Sequence, residues 1–201
     1  MRLIALSALP ALTVASSVIS ARQAPLATIT SVTSEGPACP PGSMSSQISD
    51  DGSKVTVIFS AFRADFQLGV TPPGERDLDC DVVFHLNFPI GCTKLIPDTI
   101  YRGYVQIDQG GVTGDLEPSY VLSGGKLTGV NTTPTKFDSK AVKDFLRDDT
   151  PNAEVTIRNP NEQGVRFESR TRMRVITTSS DVQGVVYLDS IDLNLRNQQT
   201  C

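Results

Sequence analysis

Three features of this 201-residue sequence could do chemistry, and the first is its only histidine, His85. An imidazole is a candidate general base. A hydrolytic triad also needs a nucleophile and an orienting carboxylate, and no G-x-S-x-G motif occurs in the chain. We therefore interpret His85 as an exposed strand residue beside Asn87, and we predict no catalytic residue.

The second feature is a set of three aspartates, Asp77, Asp79 and Asp81, that alternate around Cys80. In an extended segment these carboxylates share one face. They could form part of a Ca²⁺ site, although the loop glycine and distal glutamate of an EF-hand are missing. Two of them could also serve a glycosidase, which uses a pair of carboxylates across a cleft. We favour a solvated face, and we predict no metal site and no cofactor.

The third feature is a stripe of arginines that shares one face of the segment from Val165 to Val175. Its members are Arg166, Arg170, Arg172 and Arg174, with Glu168 among them. Guanidinium groups can hold carboxylates or phosphates bidentately, so the stripe could grip an anionic polymer. The alternative is a solvated face paired with acidic residues of adjacent strands, with Asp192 as one candidate, and we favour it for a net acidic chain.

Aromatic residues suggest a second kind of binding surface. The chain has no tryptophan, so tyrosines and phenylalanines would have to supply any flat surface for a sugar. Tyr104, on the same strand face as Arg102, is the best exposed candidate. Asn131-Thr132-Thr133 is an N-glycosylation sequon, which predicts a surface loop at Asn131.

The first residues predict a secretory signal peptide over positions 1–21. Arg2 precedes an almost uncharged run from Leu3 to Ile19, and small residues follow it. The run is interrupted by polar residues and is short for a membrane span of roughly 20 apolar residues. Residues 22–201 are predicted to form a single secreted domain. The net charge of −4 argues against nucleic acid and anionic membranes as partners, and we expect a monomer.

Cysteine usage fits this compartment. Cys39, Cys80, Cys92 and Cys201 form an even set, which in a secreted chain predicts two disulfides. Three connectivities are possible. We prefer Cys39 with Cys80 and Cys92 with Cys201, because the second pair would fix the terminal strand to the body of the fold. The lack of a C-x-x-C pair argues against a zinc site.

Short alternating segments rich in β-branched residues predict an antiparallel all-β domain. The predicted strands are 27–33, 54–62, 80–88, 99–108, 119–123, 153–158, 165–177 and 185–195. Gly103 lies inside one of them and predicts a bulge or a close backbone approach. From Asp138 to Asp148, apolar residues recur at helical spacing and predict one short inserted helix. We therefore predict a β-sandwich of about eight strands, one helix and two disulfides.

Several segments of the mature chain resemble the secreted fungal family known as domain of unknown function 4360. They are Ile29 to Val32, Ala38 to Ser43, Asp79 to Asp81, Phe88 to Gly91, Tyr101 to Asp108 and Asp189 to Cys201. The resemblance implies secretion and a compact, β-rich, disulfide-bonded fold, with no established activity and no catalytic residues. A family cysteine is missing before the arginine stripe, and Cys92 is expected to replace it as the partner of Cys201.

The sequence thus predicts a non-catalytic secreted module that binds a surface component through an exposed sheet face. The expected partner is a cell-wall polysaccharide or a host surface protein. The predicted binding residues are Tyr104, Arg166, Arg170, Arg172 and Arg174. The alternative is a hydrolase of cell-wall polysaccharide that uses carboxylates such as Asp79 and Asp81, and a purely structural wall protein is a third possibility.

Overall fold

The computed structural model describes residues 27–88, 94–108, 111–123, 125–128, 133–137, 142–149, 154–157 and 165–196. These residues form thirteen strands: β1 (Thr28–Glu35), β2 (Met44–Ile48), β3 (Lys54–Phe59), β4 (Arg63–Phe66), β5 (Gly74–Asn87), β6 (Lys94–Ile107), β7 (Val112–Ser123), β8 (Gly125–Thr128), β9 (Thr135–Phe137), β10 (Val142–Asp148), β11 (Glu154–Ile157), β12 (Val165–Thr177) and β13 (Gly184–Arg196). The predicted signal peptide, Cys92, Asn131 and Cys201 lie outside the described residues.

The strands form two antiparallel sheets. The first sheet has five strands in the order β1-β5-β12-β7-β9. The second has eight, in the order β2-β3-β13-β6-β11-β8, with β10 beside β6 and β4 beside β13. The predicted all-β antiparallel class is confirmed. The predicted count of about eight strands was too low because β2, β4, β8, β9 and β10 are at most seven residues long, and such short segments give little periodic signal.

The core lies between the two sheets and follows from alternation along the long strands. On β5, Val82, Phe84 and Leu86 are buried, and on β13 Ile191 and Leu193 are buried in the same apolar cluster. Successive side chains of a strand point to opposite faces, so each sheet has one apolar and one wetter face. Each large side chain buried in this way stabilises the fold by about 1.5–3 kcal/mol.

The predicted helix from Asp138 to Asp148 is wrong for the residues that the structure describes. Val142–Asp148 is strand β10, which pairs with β6 from Ile100 to Gln106. Phe145 is buried, whereas Val142 and Leu146 are each 63% exposed. The apolar residues matched a helical period, but a neighbouring strand with free backbone groups decides the local structure. No residue of the described part of the chain is helical.

A chain of polar side chains crosses the core from one sheet to the other. Tyr101 of β6 donates from its hydroxyl to the Tyr120 hydroxyl of β7 at 2.8 Å. Ser169 of β12 lies 2.7 Å from the Tyr101 hydroxyl, and Tyr120 donates to Asp149. Arg147 Nε lies 2.8 Å from Asp149 Oδ1 in a buried ion pair. We call these five residues the hydroxyl chain. Its hydrogen bonds satisfy hydroxyl groups that would otherwise be costly to bury, and its ion pair balances two buried charges.

A disulfide joins Cys39 and Cys80, and it confirms one of the two predicted pairs. It connects the loop that follows β1 to the middle of β5, the strand with which β1 pairs. Both cysteines are buried. The pairing of Cys92 with Cys201 stays a prediction, since neither residue is described.

Candidate functional site

The four predicted arginines lie together on the outer face of the first sheet, on β12. The flanking strands place carboxylates opposite them: Arg172 is in register with Asp79 of β5 and with Glu117 of β7. A basic central strand therefore lies between two acidic ones. We call this surface the charged face, and it carries Asp77, Asp79, Asp81, Asp115, Glu117, Glu168, Arg166, Arg170, Arg172 and Arg174.

Two arginines of the charged face are held by carboxylates of neighbouring strands. Arg172 donates to Asp77 from Nε at 3.1 Å and from Nη2 at 2.6 Å. Arg174 Nη2 donates to Asp115 Oδ2 at 3.0 Å. The hydrogen bond from Arg172 is the main cause that lowers the pKa of Asp77. The charges of both arginines are therefore compensated within the protein.

The other two arginines differ from each other. Arg170 Nε donates to Glu168 of the same strand at 2.6 Å and lies 4.0 Å from Asp81 Oδ2. Arg166 is exposed and makes no ion pair with any residue of the described ranges. Binding of an anionic polymer by the arginine stripe stays a prediction. Within the part of the chain that the structure describes, Arg166 is the one arginine of the stripe without an ion-pair partner.

Asp192 does not join the arginine stripe, contrary to the suggested pairing. It lies in the second sheet, where Arg102 of β6 forms an ion pair with its Oδ2. Thr56 of β3 donates to Asp192 Oδ1 at 2.6 Å. The sequence pattern could assign Asp192 and the arginines to strands, but it could not show which sheet each strand joins. Local alternation carries no information about the order of strands in a sheet.

The aspartates that alternate around Cys80 share the outer face of β5, as predicted. A hollow of about 380 Å³ on the charged face is lined by Asp79, Asp81 and Glu117 together with Arg170 and Arg172. Burial is the main cause that raises the pKa of Asp81, and the nearby Arg170 opposes it. Among the residues that the structure describes, no group of three His, Cys, Asp or Glu is arranged to hold a metal ion.

His85 lies farther along the outer face of β5. It is in register with Arg166 of β12 and Ser31 of β1. Its side chain is half-buried. No carboxylate is its register partner on either neighbouring strand, so the structure does not assemble a triad around it.

A second set of functional groups lies on the outer face of the second sheet. One row of register partners crosses four adjacent strands and consists of Arg63 of β4, Tyr187 of β13, Tyr104 of β6 and Asp144 of β10. The ring centroids of the two tyrosines are 5.7 Å apart with an interplanar angle of 37°. The predicted binding residue Tyr104 is therefore half of an aromatic pair.

Two hollows adjoin this tyrosine pair, and Tyr187 lines both of them. The larger, about 320 Å³, is lined by Tyr104, Tyr187, Asp144 and Leu146 among others. The smaller, about 160 Å³, lies between β3 and β4. Both hollows are lined by Tyr187 and Asp189, so they lie side by side on the surface. We call the two hollows together the tyrosine groove.

A bulge in β13 shapes the tyrosine groove. The register between β13 and β6 shifts between Leu188 and Ser190, so Asp189 is the extra residue of the bulge. Leu188 N donates to Phe62 O at 2.9 Å, where the chain passes from β3 to β4. A bulge redirects a side chain out of the regular ladder, and here it places the Asp189 carboxylate at the rim of the groove.

The floor of the tyrosine groove depends on Gly103. A Cβ atom at this position would lie 2.3 Å from Phe145 Cζ and 2.3 Å from the Tyr187 carbonyl oxygen. The sequence predicted a bulge or close backbone approach at Gly103, and the close approach is confirmed. Gly103 lets Phe145 and the β13 backbone reach the positions that set the tyrosine pair.

Most of this chain matches one known protein family. The family model described as Domain of unknown function (DUF4360) matches residues 26–201. The chain belongs to the DUF4360 family. The resemblance predicted from the sequence is thereby confirmed.

One relative of this DUF4360 chain comes from Arthroderma benhamiae and is described as an uncharacterized secreted protein. It is 28% identical over 168 residues, which are 84% of this chain and 67% of the relative. An extracellular location agrees with the Cys39–Cys80 disulfide, since disulfides persist in oxidising compartments. The described residues include no helix with the length and apolar character of a membrane span.

Two solved structures are similar to the DUF4360 chain at low scores. TmCBM61 in complex with beta-1,4-galactotriose has a TM-score of 0.30 at 10% identity, covering 85% of this chain and 91% of that one. A family two carbohydrate esterase from Cellvibrio japonicus has a TM-score of 0.22 at 14% identity, covering 82% of this chain and 33% of that one. Scores this low do not establish a shared fold.

Sequence reasoning on this DUF4360 chain missed Tyr187, Asp144 and Asp189. The alternation of β13 placed Tyr187 and Asp189 on the polar face of a predicted strand, and this was the one sequence feature that could have identified them as candidate binding residues. Their meeting with Tyr104 requires the register between β13 and β6 and the bulge in β13. Asp144 was lost because its segment was predicted to be helical.

Proposed function

We propose that this secreted DUF4360 protein is a non-catalytic module that binds polysaccharide in the tyrosine groove. The observation that carries the proposal is the ring pair of Tyr104 and Tyr187, which together line the larger hollow, with Tyr187 also lining the smaller one. Aromatic rings offer an apolar surface to the C–H face of a sugar. The carboxylates and guanidinium groups around them offer hydrogen-bond partners to its hydroxyl groups, as binding sites commonly do.

The strand order supports this use of the surface. Tyr104 and Tyr187 lie on β6 and β13, the two strands with the longest pairing in the second sheet. Side chains on such strands are held by the ladder and by the core beneath them, so little order is lost when a ligand binds. A rigid platform suits an extended polymer better than a mobile loop does.

The test is depletion of the purified protein from solution by insoluble wall polysaccharides, with Tyr104→Ala and Tyr187→Ala as variants. At least one polymer should retain the protein, and each variant should weaken retention tenfold or more, as truncation of a central aromatic anchor does. Arg166→Ala, on the opposite sheet, is the matched control and should bind normally. Normal binding by Tyr187→Ala would remove the tyrosine groove from the proposal.

The second candidate is hydrolysis of polysaccharide at the charged face. It is favoured by one observation, the raised pKa of Asp81 in a hollow that also contains Asp79. A carboxyl with a raised pKa beside a second carboxyl group is an arrangement that general acid catalysis uses. Release of soluble sugars from wall material, abolished by Asp79→Asn, would establish it. Activity unchanged in that variant would exclude this pair.

A further inference from the structure

The charges around the tyrosine groove are unevenly compensated. Resting on the proposed function, we infer that the ligand of the groove is a polysaccharide with free amino groups, such as a polymer of glucosamine. The inference follows from which charged side chains are already paired within the protein and which are left to a ligand.

The two arginines near the groove are already paired. Arg63 donates from Nε to Asp65 Oδ2 at 2.8 Å and makes a second hydrogen bond to the other carboxylate oxygen. Arg102 forms an ion pair with Asp192, which also accepts from Thr56. These carboxylates already balance the charges of both arginines, so a ligand carboxylate or sulfate would compete with Asp65 or Asp192 for them, which disfavours anionic polymers.

The two carboxylates that line the groove are in the opposite situation. Asp144 and Asp189 are exposed, and neither makes a hydrogen bond or ion pair with a residue of the described ranges. They belong to β10 and β13, the strands on either side of β6. β10 and β13 are two strand spacings apart, about 10 Å across the sheet, and β6, which carries Tyr104, lies between them. Asp189 is also offset along β13 by two residues from Tyr187, the register partner of Tyr104.

An ammonium group fits this arrangement better than a hydroxyl or an acetamide does. It forms a charge-assisted hydrogen bond with a carboxylate, and it is attracted to the face of a tyrosine ring. A neutral sugar would cover Asp144 and Asp189 without supplying an opposite charge, and unpaired charges are costly to remove from water. Amino groups on neighbouring sugars of one polymer can reach both carboxylates.

The experiment uses two insoluble polymers with the same backbone, one with acetylated amino groups (chitin) and one with free amino groups (chitosan). A neutral β-glucan is the third polymer. We expect chitosan to retain the full-length oxidised protein at least tenfold more strongly than chitin or glucan at low salt. Added salt should weaken the retention, because exposed charges are screened.

Variants separate the groove from the overall negative charge of the chain. Asp144→Asn with Asp189→Asn should reduce retention on chitosan tenfold or more. Asp50→Asn with Glu35→Gln, at exposed positions outside the groove, also removes two negative charges and should bind normally. An equal loss in both would show attraction to net charge and overturn the inference. Thermal unfolding of each variant checks that the fold is intact.

The remaining outcomes distinguish the two proposals. Equal retention on chitin, glucan and chitosan would overturn the amino-sugar inference and leave polysaccharide binding standing. Retention on none of the polymers would overturn both. Competition by a soluble lysine-rich peptide at lower concentration than a glucosamine oligomer would assign the groove to a protein partner, and it would overturn the inference as well.

Discussion

The ring of Phe145 occupies the space that a side chain at position 103 would need. Phe145 and Gly103 are register partners across β10 and β6, and a Cβ atom at Gly103 would meet the ring at 2.3 Å and the Tyr187 carbonyl at the same distance. The β13 backbone cannot move away from β6 without losing ladder hydrogen bonds. The tyrosine groove therefore depends on the absence of a side chain at one buried position.

Replacement of Gly103 by alanine should destabilise the protein by about 1–3 kcal/mol, because added atoms in a packed core force backbone and side-chain shifts. Chemical denaturation monitored by circular dichroism measures this change. Ser45→Ala, at an exposed position of β2, is the control and should change stability by less than about 0.5 kcal/mol. Stability equal to that of the parent protein would contradict the close approach at Gly103.

Removal of the Cys39–Cys80 disulfide should cost about 4 kcal/mol. The bond closes a loop with a sequence separation of 41 residues, and the chain-entropy relation gives roughly this figure for such a loop. Urea unfolding of the Cys39→Ala, Cys80→Ala double variant against the parent protein, both without reductant, measures the difference. A loss below about 1 kcal/mol would mean that β1 and β5 are held together mainly by their ladder and packing.

The hydroxyl chain predicts a loss of stability in alkali. Burial is the main cause that raises the pKa of both Tyr101 and Tyr120 above the ordinary value of 10.0. Their contribution is fully present below about pH 10, where the unfolded tyrosines keep their protons, and it is lost as the pH rises toward the folded pKa values. Each tyrosine adds a slope of roughly −1.4 kcal/mol per pH unit to the unfolding free energy.

The measurement is urea unfolding at a series of pH values from 8 to 11, with the Tyr101→Phe, Tyr120→Phe double variant for comparison. The variant should be less stable at pH 8 because Asp149 loses the hydrogen bond that Tyr120 donates. Its stability should then fall less steeply above pH 10 than that of the parent protein. Parallel curves would contradict the assignment of the alkaline slope to this pair.

Arg172→Ala should have little effect on stability or on retention by polysaccharide. Its ion pair with Asp77 joins two side chains that are about half and one third exposed, and exposed pairs contribute at most about 1 kcal/mol. Thermal unfolding and the polymer depletion assay check the two expectations. A tenfold loss of retention in a folded Arg172→Ala variant would restore the arginine stripe as the binding surface.

Local alternation was sufficient for strands whose buried residues are apolar. β12 was predicted with its observed bounds because Val165, Phe167 and Met173 are buried and charged residues separate them. β10 could not be predicted in this way. Its buried positions include Phe145 and Arg147, and a buried arginine is intelligible only once its partner Asp149 is in place. When a charged side chain occupies a buried position, the two-residue alternation of apolar and polar residues is lost, so hydropathy does not reveal the strand.

The candidate site was predicted in part for a related reason. Tyr104 was identified because alternation along β6 places it on a polar face, and that face can be read from one strand. Tyr187, Asp144 and Asp189 come from strands far away in sequence, so their proximity depends on register and on a bulge. The suggested partner Asp192 was assigned to the wrong sheet for the same reason.

The position of the Cys39–Cys80 disulfide also determines how the fold would respond to mechanical tension. A pull on the chain before β1 would separate β1 from β5 one residue pair at a time, starting at Thr28 and Asn87. When the separation reached Cys39, the covalent bond would pass the load directly to Cys80. The intervening strands β2, β3 and β4 would then lie off the line of force. A molecule tethered by its N-terminal side would therefore lengthen by one short step, as β1 separates from β5, and would then resist further extension at the disulfide.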